Sequence, residues 1–302
     1  MGTMTIHDQY PTRVADQPAI LDRVDPVVAA TAREADAGPL TPAQVEAFDR
    51  DGYLFLEDVF STEEAQTYLA ELHRLAEDEE LKAQDRVITE RDTDEVRSIF
   101  EIHKVSQRFA RMSRDPRLAD VTRQLLGGDV TLHQTRVNFK PGFGGKEFYW
   151  HSDFETWHAE DGMPAPRAIS ASIALTDNTE HNGPLMVMPG SHRRFVSCVG
   201  ETPEDNYKSS LQAQEAGTPD EDSLSQLVAD HGIVAPKGLA GSVVFFDSNL
   251  MHGSNGNITP FARSNAFFVY NHVGNALVEP FAADEPRPGY IAHREVDPLP
   301  RD

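Results

Sequence analysis

Tyr68, Leu69, Leu72 and Leu75 recur at three- and four-residue spacing, the period of one buried helical face. Ser61-Thr62-Glu63-Glu64 precedes them and reads as a capping box, with Ser61 and Glu64 exchanging side-chain-to-backbone hydrogen bonds. Thr41-Pro42-Ala43-Gln44 repeats the device, and Pro42 suits the first helical position. Between the two lies GYLFLEDVF, a short strand. A third helix fits Asp115-Pro116 through Leu126, stopped by Gly127-Gly128. Residues 1 to about 38 mix Asp, Ala, Pro and Arg without a period, so a loosely ordered tail is expected there, with a short helix at Val27 to Ala35.

From Val130 the texture changes. RAISASIALTD alternates, with Ile169, Ala171, Ile173 and Leu175 on one side and Ser170, Ser172 and Ala174 on the other. GPLMVMPGSH, GSVVFFDSN and SNAFFVYNHV are short apolar or alternating runs bounded by Gly, Pro, Asn and Ser. Many short strands after a helical start predict a mainly β fold with helical support, a jelly roll. The stretch at about 197–232 is polar with little strand signal and is expected to be a mobile insertion, a candidate lid. The remainder, 39–302, reads as one domain, and no internal repeat is found.

Composition narrows the partners. The net charge of −22 argues against nucleic acid and anionic membranes. A single cysteine, Cys198, excludes an internal disulfide and suits a reducing, cytoplasmic compartment; it reads as a packed thiol. No apolar run reaches the length of a membrane span.

The chemistry concentrates at FYWHSDFETWHAEDGMP, residues 148–164. His151 and Asp153, two apart on an extended segment, would point to one side and could grip a single metal ion. The pair alone says little: 12 His and 49 acidic residues in 302 yield roughly two His-x-acid triplets by chance, and three occur. The other two, His158/Glu160 and His293/Glu295, read as solvated surface residues, one in a loop and one near the charged C-terminus. His151/Asp153 differs by its aromatic setting and by the extended, turn-bounded segment before it. A distal partner is found in FFDSNLMHGSNGNITPFARSNAFFVY. His252 follows one strand and Arg263 stands eleven residues on, in the next. His231, His192, His181 and His272 have no Arg at that spacing. A hairpin there would set a guanidinium behind the metal to take a carboxylate bidentately. Two His, one carboxylate and an Arg suggest mononuclear iron with a bound keto acid. A zinc hydrolase would leave Arg263 unexplained and lacks an evident base or nucleophile. A non-catalytic jelly-roll binding protein would not need the intact set.

HSDFETWHAEDGMP, NGPLMVMPGSHR, FDSNLMHGSNGNITP and the closing LVEPF and PRPGYIA segments closely resemble the ectoine hydroxylases. These belong to the phytanoyl-CoA dioxygenase-like branch of the iron(II)/2-oxoglutarate oxygenases. The resemblance runs from about Leu40 to near the C-terminus. It implies a cupin-like double-stranded β-helix with N-terminal helices packed on it, a homodimer, and iron(II), 2-oxoglutarate and O2 as the chemical partners. The implied reaction turns ectoine into 5-hydroxyectoine, releasing succinate and carbon dioxide. By resemblance, His151, Asp153 and His252 match the iron ligands, and Arg263 matches the Arg that pairs with the distal carboxylate of 2-oxoglutarate. Asn138, Phe148, Ser170 and Ser254 fall where the family lines the co-substrate pocket. Gln134, Trp157, Phe246, Asn265, Phe267 and Arg287 fall where it holds ectoine.

The residue types suit that ligand. Ectoine joins a delocalised amidinium-like ring to a carboxylate. The Trp157 indole can attract the cationic ring, Arg287 can take the carboxylate, and Gln134 offers both donor and acceptor. Phe246 and Phe267 lie in strands and read equally well as core. The nearest alternative is the same chemistry on another small amino-acid-like substrate such as free proline.

Overall fold

The computed structural model describes residues 8–30, 38–90, 95–211 and 216–301. The helices begin and end where the caps are written. α1 (Pro42–Asp51) is capped by Thr41 in a reciprocal box with Gln44 and closes at Gly52, whose φ of 76° suits only glycine comfortably. α2 (Thr62–Ala76) repeats the box with Ser61 and Glu64. Three short helices follow, α3 (Glu79–Lys82), α4 (Ile102–Val105) and α5 (Gln107–Met112); at four to six residues they are too brief to display a period. α6 (Pro116–Leu126) starts at its Asp115 cap and stops at left-handed Gly127.

These helices pack on one face of a seven-stranded antiparallel sheet. Its order is β2 (Tyr53–Leu56), β10 (Val243–Asp247), β7 (Ala168–Ala174), β12 (Arg263–His272), β5 (Val130–Lys140), β4 (Val96–Phe100) and β3 (Val87–Thr89). A three-stranded sheet holds β6 (Phe148–His151), β11 (His252–Ser254) and β8 (Leu185–Val187). Early and late strands are neighbours in both, as in the expected jelly roll.

The alternation of β7 has a specific meaning. Ile169, Ala171, Ile173 and the following Leu175 join the main core with Phe48, Leu72, Phe109 and Leu125. Ser170 and Ser172 on the other face are also buried, so that face looks into the interior between the sheets and not to water. Ser172 accepts a hydrogen bond from Asn265 (3.0 Å), and Ser170 approaches Asp153 (3.4 Å). Small polar residues facing a closed interior leave room for a site.

Residues 8–30 correct the expectation of a loosely ordered tail. β1 (Ala19–Asp22) pairs with β9 (Arg194–Ser197), and Tyr10, Thr12 and Arg13 are buried. The Tyr10 hydroxyl donates to Asp25 (2.7 Å) and accepts the N–H groups of Val24 and Asp25. The arm is fixed by individually placed side chains, which leave no period to read. Val27–Ala30 forms bends instead of the start of a helix. The rest of that expected helix and the remainder of the tail lie outside the described residues.

The polar stretch after β9 also carries structure. It contains α8 (Asn206–Ser210) and α9 (Glu221–His231), and Leu224 and Leu227 of α9 pack with Met188, Val196 and Met251. Among the described residues no helix is long and apolar enough to cross a membrane. Cys198 is buried, and burial pushes its thiol pKa up, as a packed, unreactive side chain requires.

Candidate active site

β6 and β11 are antiparallel neighbours, and their register sets His151 directly opposite His252. The imidazole centroids stand 4.3 Å apart. Asp153 enters by a turn: it is the first residue of α7 (Asp153–Thr156), immediately past β6. The pair therefore meets through a strand-to-helix corner, not along one extended face as the sequence spacing suggested. Ser152 and Phe154 fix that corner, with Phe154 N–H donating to the Ser248 carbonyl (2.8 Å) and the Ser152 hydroxyl to Asn249 (3.1 Å).

The His151 and His252 Nε2 atoms lie 3.7 and 3.9 Å from the two Asp153 carboxylate oxygens. The three ligand atoms fall within 4.8 Å of one another. Each imidazole places Nδ1 on a backbone carbonyl, that of Tyr149 (2.6 Å) or Leu250 (2.9 Å). Nδ1 is thus the protonated nitrogen and Nε2 a free lone pair aimed at the centre. Burial, reinforced by His252, pushes the His151 pKa down to about 4, which keeps it a neutral ligand. Burial works against ionisation of Asp153, but His252, His151, Arg136 and Arg287 outweigh it and hold its pKa below the usual carboxylate range. The donor set of two imidazole Nε2 atoms and one carboxylate, open on the cavity side, fits iron(II).

Arg263 opens β12, opposite Lys140 in β5. β11 and β12 belong to different sheets, so the segment joining them crosses the fold and is not the expected hairpin. The crossing still brings Arg263 into the cavity lined by the three candidate ligands. No carboxylate among the described residues pairs with it; its Nε lacks a partner, and burial lowers its pKa to about 10. A buried guanidinium without an anion is costly unless a ligand brings one. Lys140 stands beside it, donating to Ser254 (2.8 Å) and the Asn255 carbonyl, and burial followed by Arg263 and Arg97 pushes its pKa down to about 6. Asn138, Phe148 and Ser254 line the same cavity. Asn138 accepts from Ser98 (2.9 Å), and Phe148 lies under Arg97 (4.2 Å).

On the other side, the chain after α7 continues as a π-helix, Trp157–Asp161. Such turns are uncommon and recur at functional sites. This one presents Trp157 and Glu160 to the cavity, with Trp157 backed edge-on by His133 at 4.8 Å. His158 and Glu160 are buried, which corrects their reading as solvated loop residues. His158 stacks on Phe281 (3.9 Å) and bonds the Met163 carbonyl and Asp8. Glu295 is exposed as expected, whereas His293 is half-buried. Gly162 ends the turn at φ 77°, where a Cβ would fall 2.0 Å from the Val278 carbonyl oxygen. Gly162→Ala is therefore expected to destabilise the fold by more than about 2 kcal/mol, read as a lower urea midpoint with unchanged slope.

The remaining predicted residues divide into cavity wall and support. Gln134 and Phe267 line the cavity. Both ends of the Gln134 amide are used, donating to the Ile291 carbonyl (2.9 Å) and accepting from Arg136 (2.9 Å). Ser170, Phe246 and Asn265 stand behind the wall: Ser170 near Asp153, Phe246 against the His252 ring (4.9 Å), and Asn265 on Ser172. Arg287 lines the cavity, yet Asp161 fills its fork with contacts of 2.7 and 2.5 Å. The cavity guanidinium on this side that pairs with no acid among the described residues is Arg136, lying over Phe267 (5.1 Å), its Nε without a partner. Arg136 was not singled out from the sequence. Its alternation with Gln134 and Asn138 along β5 was the available signal.

The phytanoyl-CoA dioxygenase family model matches residues 48–265. An ectoine dioxygenase of Stutzerimonas stutzeri (strain A1501) is 54% identical, covering 95% of this chain and 95% of its own. One from Sphingopyxis alaskensis is also 54% identical, over 96% of this chain and 94% of its own. The crystal structure of EctD from S. alaskensis with 2-oxoglutarate and 5-hydroxyectoine superposes with a TM-score of 0.88 at 50% identity, covering 97% of both chains. The chain belongs to the phytanoyl-CoA dioxygenase family and, within it, to the ectoine dioxygenases.

Proposed function

We infer that this protein is an iron(II)- and 2-oxoglutarate-dependent ectoine hydroxylase. The balanced reaction is ectoine, 2-oxoglutarate and O2 to 5-hydroxyectoine, succinate and carbon dioxide. The observation that carries this reading is the buried, acid-free Arg263 in the cavity of the His151, Asp153 and His252 cluster. A keto acid needs both a metal end and a cationic end, and the cavity offers both.

Iron(II) held by His151, Asp153 and His252 supplies the redox centre for decarboxylating 2-oxoglutarate and activating O2. The protein's own residues do the rest. Arg263 binds the distal carboxylate bidentately, with Lys140 holding Ser254 in place and Asn138, Phe148 and Ser254 enclosing the carbon chain. Ser170 steadies Asp153 from behind, while Phe246 and Asn265 hold His252 and the cavity floor. Trp157 faces the substrate ring and Gln134 and Phe267 complete the wall. Arg136 takes the substrate carboxylate, and Arg287, paired with Asp161, fixes the π-helix; this reverses the role that the resemblance gave Arg287. Phe100, Phe267 and Leu185 exclude water from the reacting face.

In this reading 39–302 is one oxygenase domain. Within the stretch at 197–232, Asn206, Ser210 and Leu211 stand on the cavity lining and cover its mouth. A homodimer fits the exposed Phe143, Ile258 and Phe261 on two bridged loops, and sedimentation should give about twice the 33.5 kDa chain mass. The lone buried thiol suits the cytoplasm.

The deciding assay measures succinate and hydroxylated product with ectoine and proline in parallel. Product from proline but not ectoine would sink the substrate assignment and spare the oxygenase. Trp157→Ala should weaken ectoine use by about 1–2 kcal/mol, roughly 5–30-fold, with 2-oxoglutarate affinity nearly unchanged. Equal losses for both, with a lowered melting temperature, would return Trp157 to a structural role.

A further inference from the structure

Among the described residues Asp153 and Glu160 are the two carboxylates on the cavity lining, and Asp153 belongs to the metal cluster. Glu160 is 2% exposed. Its Oε1 accepts from Arg13 Nη1 (2.7 Å) and from Asn206 Nδ2 (2.7 Å). Both hydrogen bonds go to one oxygen, so among the described residues Oε2 of this lining side chain carries none. Arg13 is shared, because its Nε and Nη2 are already taken by Glu155, at 2.9 and 2.7 Å, and only Nη1 reaches Glu160. Thr12 adds a further bond to Glu155 (2.7 Å). One guanidinium thus serves two buried carboxylates, and one negative charge is left over. The neighbouring Arg287 is balanced by Asp161. A purely structural bridge would use both oxygens and close its charge; a buried excess charge costs stability unless a cation meets it.

We propose that Glu160 is the anionic contact for the cationic ring of the substrate, positioned by Arg13 of the N-terminal arm and Asn206 of the covering segment. The proposal rests on the ectoine reading and names the group that selects for the ring's charge. Trp157 and Glu160 lie on the same π-helix, so an indole and a carboxylate wall the same part of the cavity. That combination suits a delocalised cation. Arg136 supplies the opposite charge for the carboxylate of a zwitterion. Two of the five described non-glycine residues with positive φ belong to the supports: Arg13 and Asp205, next to Asn206, take φ of 58° and 55°. Gly217 closes over the arm so tightly that a Cβ would fall 2.2 Å from Arg13 Nη2 and 2.4 Å from Glu155 Oε2. The arm, the π-helix and the covering segment therefore meet at this carboxylate.

The test compares ectoine with cyclohexanecarboxylate, which keeps a ring and a carboxylate but has no cation. Both are titrated against holoenzyme with iron(II) and 2-oxoglutarate under anaerobic conditions, by calorimetry, and KM and kcat are measured in air. Wild type should bind ectoine at least about tenfold more tightly than cyclohexanecarboxylate. Glu160→Gln should remove most of that preference, raise KM for ectoine about tenfold or more, and leave KM for 2-oxoglutarate unchanged. Arg13→Lys keeps the charge but loses the fork, and should raise KM for ectoine by a smaller factor without changing KM for 2-oxoglutarate. Folded Glu160→Gln protein with wild-type preference for ectoine would overturn the proposal. If Glu160→Gln does not fold, equal wild-type affinity for the two ligands overturns it and a clear preference for ectoine supports it. Wild-type protein that binds neither ligand would overturn the ectoine reading first, which separates the two failures.

Discussion

Alanine at His151, Asp153 or His252 should abolish hydroxylation while leaving the fold intact. The three ligand atoms sit within 4.8 Å of one another and come from two strands and the start of a helix, so no neighbour can replace a lost one. The supporting bonds from Tyr149 and Leu250 act on each imidazole separately, and the fold would keep the remaining two groups in place. Iron affinity should fall by more than the roughly 10–100-fold that loss of an outer partner costs. Asp153→Ala should be the most severe, since it also removes the anion that opposes Arg136 in this cavity. Metal content after dialysis, circular dichroism and turnover with added iron(II) check this together. Near-normal turnover in any variant would identify the wrong ligand.

Arg263→Ala should raise KM for 2-oxoglutarate by roughly 10–100-fold, the range expected for losing a charge-assisted, bidentate contact. Iron binding should survive, because Arg263 makes no contact with the ligand cluster beyond sharing its cavity. Arg263→Lys should recover part of the affinity, since an ammonium carries the charge without the planar fork. Ectoine affinity, measured at saturating 2-oxoglutarate, should change little. The experiment is a matrix of both substrates against both variants. An unchanged KM for 2-oxoglutarate in Arg263→Ala would refute its role at the keto acid.

Helix ends were legible because caps are local: Thr41 with Gln44, Ser61 with Glu64 and Asp115 with Gly127 act within one turn. The strands of the jelly roll were legible by alternation, and the motif around His151 stood out by its aromatics. His252 and Arg263 were found by their spacing, although the hairpin imagined between them is a crossing between two sheets. What the sequence could not disclose was pairing over long separations. Arg13 meets Glu155 and Glu160 across the fold, in a segment that has no period and reads as a tail. Arg287 meets Asp161 and is thereby neutralised, while Arg136 makes no ion pair among the described residues.

By itself the chain determined its elements, its donor set for iron and its family, because those depend on neighbours in sequence and on residue chemistry. Tertiary structure alone decided which buried charges are satisfied. A guanidinium or carboxylate is the same group in every sequence context. Whether it is spent on a structural bridge or left facing a cavity depends on which distant residue the fold brings within hydrogen-bond reach.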